Sequence, residues 1–356
     1  MLILGAGIVG AACAAEFAAQ GLRVTVLERG AVGGGATAAG MGHLLALDDS
    51  PAQLALTRYA LGCWDALLAR SAEDYERCGT VWVAADAADL AALRRRPLPG
   101  EPLDERSLYA CEPGLRPGLA GGLLAPDDGV LYAPAWAARL LRQAGARLVR
   151  GEAVALRPRG VLLADGGTLS AGAVVLAAGA DAAALAPELP LQPRKGHLAI
   201  TDRHPGLVRH QLVEVGYAAS ARRAGGESVA FNLQPRSTGQ LLIGSSRQPG
   251  VAGAAVEHGV LGRMLARAVA YLPALAGLDC IRAWTGVRAA TPDGLPLIGP
   301  HPGRPGLWLA AGHEGLGITL APATAQLLAA QLLGRAPELS PAPYLPARFP
   351  ELARLA

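Results

Sequence analysis

The stretch "MLILGAGIVGAACAAEFAAQGLRVTVLERG" constrains this chain more than any other. Leu2-Ile3-Leu4 reads as the end of a buried strand. Gly5, Gly7 and Gly10 then form G-x-G-x-x-G, and the small residues of "AACAAEFAAQ" form a helix that Gly21 ends. "LRVTVLE" is a second parallel strand finishing at Glu28. A strand, tight turn, helix, strand and acid in this order predict a dinucleotide-binding unit. The first glycine permits the turn, the second lets the backbone approach a pyrophosphate, and the third lets helix and strand pack closely. The free N–H groups of the helix start suit phosphates. Glu28 suits the two hydroxyls of an adenosine ribose, and its charge argues against a 2′-phosphate.

This unit alone does not separate NAD from FAD. The next segment, "GGGATAAGMG" at 33–42, is read as a bare loop that passes beneath a pyrophosphate and reaches a flavin edge. "SPAQLALTRYALGCWDALLA" then forms a long helix, with Ser50 as N-cap and Pro51 at the first helical position. His43 and Asp48-Asp49 read as loop and helix-entry groups.

The chain of 356 residues suits two cores or one large α/β unit. Its formal charge of +3 is small, and the longest basic run is Arg94-Arg95-Arg96, so nucleic-acid binding is not expected. The five cysteines are dispersed without a CxxC pair, so no metal site is expected and free thiols in a reducing compartment are. No signal peptide or transmembrane helix is read, which predicts a cytoplasmic location.

The middle of the chain weaves. "GTVWVAAD" is a strand, "ADLAALRRR" a short helix, and "AGGLLAPDDGVLYAPAW" a hairpin strand turning into a helix. "RGVLLADGGTLSAGAVVLAAGAD" is a hairpin followed by a buried strand that returns to the dinucleotide sheet. "ESVAFNLQPRSTGQLLIGSSRQP" is another hairpin, and 200–284 reads as antiparallel β with one helix near 257–272. The Pro-rich tail from Pro337 is expected to loop over the surface.

The carboxy-terminal stretch repeats the opening device. "LWLAAG" is a strand, "HEGLGI" a glycine turn and "TLAPATAQLLAAQLL" a helix. A second helix N-terminus can stabilise a reduced flavin ring by up to about 2 kcal/mol, which favours FAD over NAD.

The pieces "GAGIVG", "LERG", "ATAAGMG", "VVLAAGAD", "PLQPRKG", "LLIGSS", "WTGVRAATPDGLPLIG" and "AAGHEGLGITLAPAT" run almost end to end. Together they resemble the FAD-dependent D-amino-acid oxidase superfamily in its glycine oxidase branch. The "GHEGLGIT" form is most similar to FAD subunits of D-hydroxyproline dehydrogenases, opine oxidases and hydrogen cyanide synthases.

The resemblance implies a Rossmann-like α/β domain of the glutathione-reductase type, interleaved with an antiparallel-sheet α+β substrate domain. Residues 1–75, 140–199 and 285–336 would form the FAD-binding domain. Residues 76–139 and 200–284 would form the substrate domain, with 337–356 as a tail. Gly5, Gly7, Ile8, Val9 and Gly10 would approach the pyrophosphate, and Glu28 and Arg29 the ribose. Thr37, Ala39, Gly40 and Met41 would line the flavin, Met41 being equally a packing residue. Val154 would meet the adenine end, with Ala178 and Gly179 closing the sheet beside it. Gly312, His313, Glu314, Gly315, Leu316, Gly317, Ile318 and Thr319 would hold the ring's N1–C2=O edge.

Arg288 would bind the substrate carboxylate, although on spacing alone it reads equally as an ion-pair residue. Glu314 faces either the substrate amine or solvent. Asn232 stands where glycine oxidases carry an aromatic hydroxyl, which makes it a candidate specificity residue. The implied reaction oxidises the C–N bond of a D-amino or imino acid, such as hydroxy-D-proline or glycine, by hydride transfer to flavin N5. No cysteine lies near "GHEG", so the FAD is expected to be non-covalent. A contrasting expectation is an FAD-holding subunit, inactive alone, with small iron–sulfur or FAD partner subunits. A homo-oligomer is compatible with both.

Overall fold

The computed structural model describes residues 1–216 and 226–355. Residues 217–225, inside the expected antiparallel segment, and residue 356 lie outside the described residues. The opening unit forms as its sequence dictates. Leu2–Leu4 is wholly buried and pairs in parallel with both Thr25–Glu28 and Val174–Leu176. A strand covered on both faces needs a continuous apolar run, and Leu-Ile-Leu supplies it.

The full parallel-type sheet has six strands. In spatial order they are Leu297–Pro300, Leu307–Ala311, Val174–Leu176, Leu2–Leu4, Thr25–Glu28 and Arg147–Arg150. Only the first pair is antiparallel. Helices Ile8–Ala19, Pro51–Leu68, Ala133–Ala144 and Gly317–Leu332 share one core on this sheet. Ser50 Oγ accepts from Gln53 N at 3.1 Å, so the expected N-cap is present.

The second large sheet has eight strands. Their order is Cys280–Ala290, Gln192–Arg203, Gln240–Pro249, Ser228–Pro235, Gln211–Glu214, Thr80–Ala84, Gly121–Ala125 and Glu101–Leu103. All neighbours are antiparallel except Gln211–Glu214 with Thr80–Ala84. Alternation along these strands separates two faces. Val81, Val83, Leu212, Phe231, Leu233, Leu241 and Ile243 pack one face with Met264, Ala268 and Tyr271 of helix His258–Tyr271. Asn232 and Gln234 alternate with Phe231 and Leu233 and so point to the other face.

Several expectations need correction. Segment 33–42 is not a bare loop, because Gly35–Ala39 forms a short helix. Gly121–Ala125 and Gly129–Leu131 do not form a hairpin. The first joins the eight-stranded sheet, and the second pairs with His43–Leu44 and Tyr75–Glu76. The tail is not a surface loop throughout, since Tyr344 and Leu352 are buried and Tyr344 Oη donates to Ala52 O at 2.8 Å. The strand Gln192–Arg203 belongs to the eight-stranded sheet from its first residue, and Cys280–Ala290 to its last. Helix Ala133–Ala144 packs on Ile8–Ala19.

Candidate active site

The amino-terminal turn is closed by backbone contact. A Cβ on Gly10 would lie 2.0 Å from Gly5 O, and one on Gly5 would lie 2.6 Å from Ala177 O and 3.2 Å from Ala178 Cα. Gly5 has φ +106°, which other residues rarely adopt. Thr37, from the short helix, accepts from Ile8 N at 3.0 Å, and a Cβ on Gly7 would meet its Oγ1 at 3.2 Å. No side chain of the helix's own cap engages its first turn. This bare, N–H-lined cradle fits the phosphates of a dinucleotide.

Glu28 closes the outer side. Its carboxylate accepts from Ala6 N at 2.7 Å and Gly30 N at 2.6 Å. Arg29 bridges Glu152 at 3.2 Å and Asp181 at 2.6 Å. Val154, two residues beyond Glu152, is half exposed, and Ala178–Gly179 follow the central strand. Arg29 and Val154 are therefore placed at the rim, away from the sheet residues described below.

The second turn meets the first. A Cβ on Gly317 would lie 3.8 Å from Val9 Cγ2, and one on Gly40 would lie 3.2 Å from Ile318 Cδ1. Two helix N-termini thus converge on the short helix that carries Thr37 and Ala39. Gly312 at φ +77° and Glu314 at φ +49° turn the chain, and Glu314 N donates to Ala289 O at 2.9 Å. His313 is buried against Thr324 Oγ1 at 3.0 Å. Burial pushes its imidazole down to about 4, so it is neutral near pH 7.

Arg288 reaches across the eight-stranded sheet. Its strand pairs Arg288 with Arg194 and Gly286 with Gly196. A Cβ on Gly196 would lie 2.5 Å from Arg288 Nη1, so the guanidinium lies over this bare position. It then donates to Ser246 O at 3.1 Å, on the strand beyond. Gly286 leaves room for Ala39, whose Cβ would lie 2.6 Å from any Cβ there. Trp284 Nε1 donates to Ala39 O at 3.4 Å, and Met41 packs with Leu198 and Leu242.

Glu314 stands among arginines. Arg247 Nε lies 3.3 Å and Arg194 Nη1 3.9 Å from its Oε1. Burial opposes its ionisation, yet Arg247, Arg288, the Gly315 N–H and Arg194 hold its pKa down at about 2. It is a fixed anion facing guanidinium groups, neither a solvent-facing side chain nor a base near neutral pH.

A polar network fills the sheet beside this cluster. Gln211 Nε2 donates to Gly129 O at 3.2 Å and to Thr80 Oγ1 at 3.3 Å. A carbonyl can only accept, so Gln211 Oε1 must face His43 Nδ1, its partner on the other side. Nδ1 therefore carries the proton and Nε2 accepts. Asn232 Nδ2 donates to that Nε2 at 3.1 Å. Desolvation of the ring pushes His43 down to about 4 and keeps it neutral. Gln234 donates to Gln211 Oε1 at 3.1 Å and accepts from Arg236 Nη1 at 2.9 Å. Arg236 also holds Met41 O at 3.2 Å, and Thr319 Oγ1 donates to His43 O at 2.8 Å. The network touches both turn regions and leaves Asn232 Oδ1 without a partner. A buried unpaired acceptor costs roughly 1–3 kcal/mol.

The sequence singles out Arg288, Asn232 and Glu314 but not the residues packed around them. Gly196, Ser246, Arg194, Arg247, Gln211 and Gln234 arrive from different strands, and His43 is an ordering group rather than a loop residue. Among the described residues, no group of three or more His, Cys, Asp and Glu could hold a metal ion, and no helix is long and apolar enough to cross a membrane.

A bare dinucleotide cradle beside a second converging helix start defines a two-turn nucleotide oxidoreductase site. The comparisons agree. The family model for FAD-dependent oxidoreductases (DAO) matches residues 1–331. The chain is 32% identical to the glycine oxidase of Pseudomonas aeruginosa over 377 aligned positions, covering 98% of each chain. It is 32% identical over 286 positions to a D-amino acid dehydrogenase of Cereibacter sphaeroides, covering 72% of this chain and 60% of that one. The crystal structure of glycine oxidase from Geobacillus kaustophilus superposes with a TM-score of 0.86 at 30% identity, covering 98% of both chains. This chain belongs to the DAO family of FAD-dependent oxidoreductases.

Proposed function

We propose that this protein oxidises the C–N bond of a small D-amino or imino acid, with Arg288 binding the substrate carboxylate. The observation that carries the reading is Arg288 itself. Its guanidinium lies over Gly196 and against Ser246, close enough to the second turn to stabilise the Glu314 carboxylate. A guanidinium matches a carboxylate with two parallel hydrogen bonds, which a lysine does not reproduce. The names of the relatives, glycine oxidase and D-amino acid dehydrogenase, support the same substrate class.

The cradle residues Gly5, Gly7, Ile8, Val9 and Gly10 would hold the pyrophosphate of FAD, and Glu28 its ribose. Thr37, Ala39, Gly40 and 312–319 would hold its ring end. No cysteine lies in either turn, so the attachment we propose is non-covalent. When bound, FAD supplies the hydride acceptor. The chain's own part is positioning. Arg288 fixes one end of the substrate, and orientation supplies much of the acceleration. Met41, Leu198 and Leu242 form an apolar cluster with Trp284 packed against it, on the same sheet as Arg288. Glu314 is too acidic to take a proton from an ammonium group, so the substrate nitrogen must enter neutral. The substrate carboxylate and Glu314 share Arg288, which tempers carboxylate affinity and aids release.

The test is anaerobic bleaching of the flavin absorbance by hydroxy-D-proline, D-proline, other D-amino acids, glycine, sarcosine and opines. Bleaching by members of this panel is the expected outcome, and admitting air then distinguishes an oxidase from a dehydrogenase. A flavin-loaded protein that none of them bleaches contradicts the proposal.

A further inference from the structure

Asn232 Oδ1 is a buried acceptor without a hydrogen-bond partner. Asn232 is 4% exposed, and its amide orientation is dictated from behind. Gly129 O fixes Gln211, Gln211 fixes the tautomer of His43, and His43 Nε2 takes the Asn232 amide nitrogen. The chain of bonds ends at a buried acceptor with no partner of its own. Asn232 pairs with Gly244 in register, while Arg288 reaches Ser246 O two residues along the same strand. The amide and the guanidinium thus approach the strand Gln240–Pro249 from its two sides. In an α-amino or imino acid the nitrogen and the carboxylate share one carbon, so a carboxylate on Arg288 carries the nitrogen into this region.

We infer that Asn232 Oδ1 accepts a hydrogen bond from the substrate N–H, with His43 as the positioning residue that keeps the acceptor forward. This inference rests on the carboxylate-binding role proposed for Arg288. Its consequence is a restricted substrate class: primary and secondary amines, which keep an N–H when neutral, and not tertiary amines. Holding that N–H also leaves the nitrogen lone pair free to assist as the C–N bond is oxidised.

Two planar acids of nearly equal shape make the test independent of turnover. Pyrrole-2-carboxylate offers an N–H where 2-furoate has a ring oxygen, and both are ionised at pH 8. Each is titrated into the FAD-loaded protein and followed by perturbation of the flavin spectrum. The wild type should bind pyrrole-2-carboxylate at least tenfold more tightly, which is about 1.4 kcal/mol. Asn232→Leu should bring the two affinities within about threefold, because the acceptor that tells N–H from O is gone. Asn232→Asp keeps an acceptor and should keep the preference, with flavin content reporting that both variants fold. His43→Leu frees the amide to turn and should erode the preference, whereas His43→Gln retains an acceptor for Nδ2 and should restore it.

A preference that persists in Asn232→Leu, or is absent from the wild type, overturns the inference. Arg288→Ala separates the two claims. It should weaken both acids together, and unchanged affinity for both overturns the carboxylate reading itself, whatever the preference does.

Discussion

The two glycine turns share an architecture and differ in what they hold. At the amino-terminal turn the anion is Glu28, and backbone N–H groups satisfy it at 2.7 and 2.6 Å. Its glycines are there for contact, since Gly5 and Gly10 leave no space for a Cβ. At the carboxy-terminal turn the anion is Glu314, and arginines from three strands satisfy it. The first turn is a shape, set by contiguous glycines and closed by the backbone of Ala177 and the hydroxyl of Thr37. The second is a charge arrangement, assembled only when the eight-stranded sheet forms. Substitutions in the first should therefore act on folding and FAD retention, and substitutions around the second on substrate affinity.

Gly10→Ala attacks the first turn where it is tightest and should have the largest effect. Its Cβ would stand 2.0 Å from Gly5 O, a backbone atom that cannot move aside. The expected outcome is a protein without bound flavin, read from the ratio of visible to ultraviolet absorbance. Full flavin content in this variant would break the comparison.

Acid is the next largest perturbation, and it acts through the second turn and its network. His43 and His313 are both held near 4, below the ordinary value of about 6.5. The unfolded chain therefore binds more protons than the folded one between these values. Stability is full above about pH 6.5 and falls as pH drops toward 4, by up to about 3 kcal/mol for each histidine. Denaturant midpoints at pH 7 and pH 4.5 should show the loss, and His43→Gln should reduce it. A flat profile contradicts the neutral assignment on which the amide network depends.

Gly196→Ala separates the site from the fold. The added Cβ meets the mobile end of Arg288 at 2.5 Å and also Ser246 O at 2.8 Å. The guanidinium must leave its bed, so KM should rise by roughly tenfold or more, about 1.4 kcal/mol, while FAD stays bound. Unchanged KM would mean that the bed is not needed. Glu314→Gln is the mildest change. Removing the anion that shares Arg288 should tighten carboxylate ligands by about fivefold, near 1 kcal/mol. Equilibrium titration with pyrrole-2-carboxylate reads it directly, and weaker binding would show that Glu314 acts as an anchor instead.

The difference between the turns also explains what the sequence made legible. The amino-terminal unit could be read because strand, turn, helix and acid are contiguous, and each residue's job follows from its neighbours. The closing unit could be read for the same reason, down to its glycines and its helix. The supports of Arg288 could not. Gly196 matters because the Arg288 guanidinium lies over it, and a register between strands about ninety residues apart leaves no local trace. His43 looked like a loop group because its partners Gln211, Asn232 and Thr319 come from distant segments. Helix 35–39 was hidden by glycines that also suit a loop, and the tail by prolines that do not announce the buried Tyr344.

Whether Arg288 holds the substrate by its carboxylate is decided by pairing an acid with its amide. The amino or imino acid that bleaches the flavin fastest is presented with its carboxamide to the wild type and to Arg288→Ala, anaerobically and with flavin content matched. The wild type should reduce with the acid at least a hundredfold faster than with the amide at equal subsaturating concentration, about 2.7 kcal/mol. Arg288→Ala should lose most of this preference by slowing on the acid alone. If Arg288→Ala reduces with the acid as fast as the wild type does, the carboxylate is held elsewhere and Arg288 does not bind it.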